Sequence, residues 1–260
     1  GDRDTLLRAL DEASLVLADL DGTLATHNVP LPGAQEFVER YGHKLEILTN
    51  NSSDTPKTLS EALAANGMQF ASSRITLAGA QVVCEIAKAH QHGATVLAAA
   101  SPVVVAHACA AGLNCIDVHA IGDSSIRPDA ILLCRDERFN YQALTALGNW
   151  ARAGVPLWVA NPDRTHPGLE GRVVPETGAL LAAVLTIAPD AKPIVVGKPE
   201  PLMFQAVLTK HGGTPAQSIM IGDNPRTDQA GAEALGIPAI LLGTGQGASI
   251  KSVAALMLGN

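Results

Sequence analysis

Five short apolar runs, LVLAD (15–19), LEILT (45–49), PIVVG (193–197), SIMIG (218–222) and PAILLG (238–243), constrain this chain more than any other feature. Each has the length and composition of a fully buried strand. Between them, GAQEFVERYG (33–42), TPKTLSEALAANG (55–67), PLMFQAVLTKHGG (201–213) and TDQAGAEALG (227–236) have helical character. In the second of these, Pro56 stands where a first helical residue belongs and Gly67 where a helix stops. Leu59 and Leu63 are four apart and share a face. Strands alternating with helices predict an α/β fold, a parallel Rossmann-like sheet covered by helices.

The middle of the chain carries a second set of such elements. ATVLAAA (94–100), AILLC (130–134) and PLWVAN (156–161) read as strands, and SPVVVAHACAAG (101–112) and NYQALTALGNWARAG (140–154) as helices. Gly93, Gly122 and the Pro189–Pro193 region punctuate the segment. The expected organisation is a discontinuous core of residues 1–89 and 192–260, with residues 90–191 inserted as an α/β unit placed to act as a lid.

The composition, 47% hydrophobic and 17% charged over 260 residues, suits a chain with a real core. A formal net charge of −7 argues against a nucleic-acid surface, which needs a basic footprint. No apolar run approaches the roughly 18–20 residues that span a bilayer, and GDRDTLLRAL lacks the pattern of a secretion signal, so no membrane partner is expected. Cys84, Cys109, Cys115 and Cys134 form no C-x-x-C pair; they are expected as small buried hydrophobes of a protein in the reducing cytoplasm.

Four segments at strand ends carry the candidate chemistry: DLDGT (19–23), LTNNS (48–52), VGKPEP (196–201) and IGDNPRTD (221–228). In open α/β sheets, ligands sit outside the carboxyl ends of the strands, so distant segments can converge there. Asp19 ends a buried strand, and Asp21 follows it across a bend eased by Gly22. Two close carboxylates repel unless a cation compensates, and Mg2+ prefers oxygen ligands. Asp223 can complete such a site and Asp228 can orient it. A carboxylate nucleophile with a carboxylic acid two residues on suits phosphoryl transfer: one attacks phosphorus, the other protonates the leaving oxygen and then activates water. Thr49, Asn50 and Lys198 offer a hydroxyl, an amide and a positive charge to a phosphate. Taken singly, TNNS is an ordinary turn, GKP a helix start with a solvated lysine, and GDNPRTD a capped helix. DxDG alone could be a calcium loop, although an EF-hand needs a helix before it. GTGQGAS (243–249) lacks the spacing of a dinucleotide or P-loop cradle and reads as a loop near the site.

The four motifs in this order resemble those of the haloacid dehalogenase superfamily. More narrowly they are similar to the NagD-type, p-nitrophenyl, phosphoglycolate and pyridoxal phosphate phosphatases, which carry a large α/β cap between the second and third motifs. LCRDERFNY (133–141), VANPDRTHP (159–167), PETGALLAAV (175–184) and VVGKPEPLMF (195–204) extend the resemblance along nearly the whole chain. The resemblance implies a Mg2+-dependent phosphatase acting on a small phosphorylated metabolite. Asp19 would be nucleophile and metal ligand. Asp21 would be general acid/base, with its carbonyl on the metal, and Asp223 a further ligand. Thr49, Asn50, Asn51 and Lys198 would bind phosphate, Asn224 and Asp228 would support the metal site, and His166 would contact substrate from a cap loop. In some relatives the cap also forms a homodimer. The chain departs from the family in LAAASPVV, where a Gly-rich turn is usual, and in TDQ, where Thr-Asp-Ile is usual. Two rival readings use the same scaffold: a dehalogenase, which needs neither metal nor Asp21, and a non-catalytic binder of phosphorylated ligands.

Overall fold

The computed structural model describes residues 2–121 and 126–260, so Gly122 lies outside the described residues. The chain divides into two compact units. The first comprises Gly1–Thr49, Pro56–Thr76 and Lys198–Asn260; the second comprises Asn50–Thr55 and Leu77–Gly197. The expected core–insert boundaries at 89/90 and 191/192 differ from these. The helix Ala78–Ala89 belongs with the second unit because it packs on the helix Pro102–Ala110 and the strands Ala130–Leu133 and Leu157–Val159.

In the first unit, five strands lie side by side in the order Ala239–Leu241, Ser218–Gly222, Leu15–Ala18, Leu45–Thr49, Ile75–Leu77. Leu15 pairs with Ser218, Val16 with Leu45 and Met220 with Ala239, all in parallel register. Every residue of Leu15–Ala18, Leu45–Thr49 and Ser218–Gly222 is buried, as near-continuous apolar runs covered on both faces must be. Glu46 is the charged exception. Its carboxylate is fully buried and satisfied by Thr76 Oγ1 at 2.7 Å, Lys210 Nζ at 2.9 Å and His211 Nε2 at 2.7 Å. The helix Pro56–Ala65 starts at Pro56 and buries Leu59 and Leu63, as their spacing predicts. The helix Pro201–His211 likewise opens on proline and stops at Gly212, which takes a left-handed conformation.

The stretch TDQAGAEALG is not one helix. Pro225–Gln229 forms a wide π-type turn and Ala230–Glu233 a single α turn. The wider winding accompanies a side chain turned inward: Asp228 is almost wholly buried.

The second unit has its own five-stranded sheet, ordered Ile194–Val195, Leu157–Val159, Ala130–Leu133, Thr95–Ala99, Asn114–Asp117, and parallel throughout. The expected core strand PIVVG is therefore the edge strand of this other sheet, shortened to two residues. It is not fully buried, since Ile194 is 37% exposed; an edge strand has a neighbour on one side only. The helices Tyr141–Arg152 and Thr177–Ile187 bury Leu147 and Val184 against Leu97, Leu133 and Val159 of the sheet. Asn140 and Ser101 cap the helices that follow them.

The cysteine expectation holds for half of the set. Cys115 and Cys134 are buried, and burial raises both thiols, Cys115 to about 12. Cys84 and Cys109 instead lie on exposed faces of their helices, and all four are free. Among the described residues, no helix is long and apolar enough to cross a membrane.

Candidate active site

Asp19 follows the strand Leu15–Ala18 directly, and its N–H donates to the Ile221 carbonyl at 3.0 Å. The backbone then turns sharply: Thr23, Leu24 and Ala25 N–H groups all donate to the Leu20 carbonyl. Asp21 sits in this turn, bridged to Ala25. Gly22 takes φ +80°, and a Cβ there would collide with the Asp223 carboxylate. The glycine of DxDG is thus required twice, by its backbone conformation and by close approach.

Asp223 follows the next strand, Ser218–Gly222, and keeps an exposed side. Thr23 Oγ1 donates to its Oδ1 at 3.5 Å. Asp228 is reached from the π-type turn. A side chain at Gly222 would overlap it, so this second glycine makes its room. Asn224 secures the turn: its Oδ1 accepts from the N–H groups of Arg226 and Thr227, and its own N–H donates to Asp228 Oδ2 at 3.1 Å.

Lys198, 2% exposed, joins these pieces. Its Nζ donates to Asp19 Oδ1 at 2.9 Å, to the Leu48 carbonyl at 2.8 Å and to Asp228 Oδ1 at 2.7 Å. An ammonium has three protons, and these three acceptors match them. Burial alone would lower the Lys198 pKa, but the charges of Asp19 and Asp228 more than offset this and raise it. Burial raises Asp19 to about 6, against the pull of Lys198 and with a push from Asp223. Burial and the neighbouring Asp19 raise Asp228 to about 6, again against Lys198. Asp223 is raised too, by desolvation and then by Asp228.

Oxygens of Asp19, Asp223 and Asp228 all lie within 4.8 Å of one another. Three carboxylates against one ammonium leave two negative charges, which a divalent cation offsets. The donors are hard oxygens, as Mg2+ requires. Asp19 and Asp223 fit the role of ligands. Asp228, with Oδ1 on Lys198 and Oδ2 on the Asn224 N–H, fits an orienting one. A cavity of about 410 Å3 lined by Gly22, Thr23, Asp223, Gly243 and Lys251 opens beside them. Gly243, the first residue of GTGQGAS, therefore belongs to the surroundings of the carboxylates. A larger cavity, about 590 Å3, lies wholly within the second unit between Arg152, Asp190 and Lys192 and is lined by none of the expected site residues.

Thr49 is buried at the end of its strand. The next residue, Asn50, already belongs to the second unit. There its Nδ2 donates to Asp163 Oδ2 at 3.1 Å, and Asn161 Nδ2 donates to its carbonyl at 2.7 Å. Asn51 closes a local turn, accepting from the N–H groups of Ser53 and Asp54 and donating to Asp54 Oδ2 at 2.9 Å. His166 lies half-buried on a two-stranded hairpin, Thr165–Pro167 with Val173–Pro175, opposite Val174. Sequence reasoning did not single out Thr23, the Leu48 carbonyl, Asn161 or Asp163. Only the quoted patterns DLDGT and VANPDRTHP contained a signal for three of them.

A model of haloacid dehalogenase-like hydrolases matches residues 16–114, and a HAD-hydrolase-like model matches residues 195–254. Chronophin of Mus musculus is 30% identical over 242 residues, covering 91% of this chain and 82% of that protein. The dihydroxyacetone phosphatase of Corynebacterium glutamicum (strain R) is 29% identical over 235 residues, 88% of this chain and 80% of that one. Among solved structures, glycerol phosphate phosphatase from Mycobacterium tuberculosis in complex with magnesium superposes with a TM-score of 0.83 at 23% identity, covering 96% of this chain and 78% of that chain. Motif order, fold and relatives agree: the chain belongs to the haloacid dehalogenase-like hydrolases, as a phosphatase of the branch with an α/β unit between the second and third motifs.

Proposed function

We propose that the protein hydrolyses a small phosphomonoester in a Mg2+-dependent reaction through an aspartyl-phosphate on Asp19. The observation that carries this reading is the buried Lys198, bonded to Asp19 and Asp228 inside a cluster of three carboxylates. Lys198 favours the ionised Asp19 that a nucleophile must be, and the charge still uncompensated suits a divalent ion. The names of the relatives, dihydroxyacetone phosphatase and glycerol phosphate phosphatase, support a small substrate. The four free thiols suit a cytoplasmic setting.

In the first half-reaction an Asp19 carboxylate oxygen attacks phosphorus. The bond from phosphorus to the leaving oxygen breaks, and Asp21 gives that oxygen its proton. In the second, Asp21 takes a proton from water as the water oxygen attacks phosphorus. The Asp19–phosphorus bond breaks, inorganic phosphate forms, and both carboxyl groups return to their starting states. Thr49 and Asn50 supply hydrogen-bond donors to the phosphate oxygens. Lys198, its protons already matched by protein acceptors, acts by holding and neutralising Asp19. Asp19, Asp223 and the Asp21 carbonyl would hold Mg2+, which would neutralise phosphate charge there.

Asp19→Asn removes the nucleophile while keeping its shape. It should lower turnover of p-nitrophenyl phosphate with Mg2+ present by at least about a thousandfold, as loss of a covalent nucleophile does elsewhere. Near-wild-type turnover would overturn the reading.

A further inference from the structure

The cavity of about 590 Å3 within the second unit opens where two helices end. Tyr141–Arg152 stops at Ala153, and Thr177–Ile187 stops at Ala188. From there the chain enters the strands Leu157–Val159 and Ile194–Val195. The cavity therefore lies toward the amino ends of these strands, whereas Asp117 and Asp136 stand at or beyond the carboxyl ends of theirs. Its floor is apolar: Ala151, Val155, Leu157 and Ala188 line it and are buried.

Its rim is basic. Arg152 and Lys192, both exposed, line the cavity. Arg127 stands alongside, its Nη2 4.0 Å from where a Cβ on the lining residue Gly154 would be. Arg127 Nη1 donates to the Ala153 carbonyl at 3.2 Å, and Arg152 Nη1 donates to the Ile187 carbonyl at 3.2 Å. These bonds cap the two helices and hold both guanidinium groups in place. A guanidinium has five N–H donors, so capping accounts for one on each arginine and leaves the rest to give. It does not account for Lys192. Among the described residues, none of the three cations forms an ion pair with a carboxylate. Asp129, close to Arg127 in sequence, accepts instead from the Thr95 N–H at 2.8 Å. Set against the three cations are Asp190, which lines the cavity, and two helix carboxyl ends, each carrying about half a negative charge. About one positive charge is left over, in a chain whose net charge is −7.

We propose that this cavity binds a small organic carboxylate. Its single negative charge matches the one left over, its two oxygens match the edge of a guanidinium, and its carbon body covers the apolar floor. The volume is more than an inorganic anion fills and falls in the range of organic ligand sites, about 300–1,000 Å3. The inference stands on the second unit alone and is independent of the reaction proposed for Asp19.

Benzoate is the probe, titrated with chelator present and followed through the amide resonances of Gly154 and Ala191 in isotope-labelled protein. Saturable shifts at both amides are expected. In the double variant Arg152→Gln, Lys192→Gln the dissociation constant should rise at least about tenfold, as loss of charge-assisted contacts does. Acetate has the same charge without the ring and leaves the floor uncovered, so it should bind at least about tenfold more weakly than benzoate. Shifts that do not saturate, or one dissociation constant shared by wild type and variant, overturn the site. Acetate binding as tightly as benzoate overturns its organic character, and phenylphosphonate binding there more tightly than benzoate overturns the choice of a carboxylate. If circular dichroism shows the double variant to be unfolded, Lys192→Gln alone runs the same titration. A rise of about threefold is then expected, and an unchanged constant refutes.

Discussion

Both units are five-stranded sheets with carboxylates gathered beyond the carboxyl ends of their strands, and the two sets of carboxylates are balanced in different ways. In the second unit, Asp136 is fully buried, its Oδ2 lies 2.6 Å from His119 Nε2, and its Oδ1 accepts from the Arg138 N–H at 3.0 Å. The Arg138 guanidinium reaches Asp117 at 2.9 Å. Two carboxylates thus meet two basic side chains. In the first unit, Asp19, Asp223 and Asp228 share Lys198 alone among the described residues. The same architecture therefore yields a closed network in one place and an open one in the other. On the proposed function, reactivity follows from the imbalance, because a carboxylate already satisfied has no reason to hold a metal or attack phosphorus.

The contrast is broken most severely at Lys198. Lys198→Ala leaves two buried carboxylates without their shared cation. Turnover should fall by about a thousandfold or more, and stability by roughly 3–5 kcal/mol, the cost of opening a buried pair from one side. Steady-state kinetics and urea unfolding measure the two. Turnover within tenfold of wild type would show that the lysine is not what keeps Asp19 ready to react.

Asp136→Ala makes the corresponding cut in the closed network. It removes the acceptor of the His119 ring and of the Arg138 N–H, while the Arg138 guanidinium keeps Asp117, and should cost about 1–3 kcal/mol of stability. Mg2+ affinity, followed by calorimetry, should change less than about twofold, since the affected charges lie within the second unit's own network. Loss of Mg2+ binding in this variant would end the distinction between a structural and a functional set of carboxylates.

How far this division was legible in the sequence depends on range. The strands Leu15–Ala18, Leu45–Thr49 and Ser218–Gly222 announce themselves because burial on both faces writes a continuous apolar run. Asp19 and Asp223 could be read because each stands just beyond such a run, and Lys198 because it follows the apolar stretch PIVVG. The strand Ile194–Val195 was placed in the wrong sheet because its partner, Leu157–Val159, is a matter of tertiary pairing that two residues cannot encode. The hairpin bearing His166 was missed because THP and VVP have no alternation to detect. The Leu48 carbonyl on Lys198 was invisible for a different reason: a backbone acceptor leaves no trace in residue type. The ties from Asn50 to Asn161 and Asp163 cross 111 and 113 residues, and only the fold brings them together.

The gentlest test uses pH to adjust the open network without mutation. Asp19 and Asp228 stand at about 6 in the folded chain, against 3.8 for an ordinary aspartate. An acid whose folded pKa is raised weakens the fold as it ionises, so without metal the penalty grows from about pH 4 to pH 6 and is complete above that. Mg2+ should cancel it where both groups are charged. It should do little at pH 4.5, where protons already occupy the site. Thermal unfolding with excess Mg2+ and with chelator should therefore differ by roughly 3–6 °C at pH 7 and by about 1 °C or less at pH 4.5. The difference between the two curves is the quantity to read, because other carboxylates titrate over the same range and move both midpoints together. The Asp136 network, hydrogen-bonded to His119 and Arg138, should contribute nothing to that difference. A Mg2+ effect of equal size at both pH values would mean that the cation binds away from Asp19 and Asp228, and the imbalance would lose its meaning as the mark of the reactive unit.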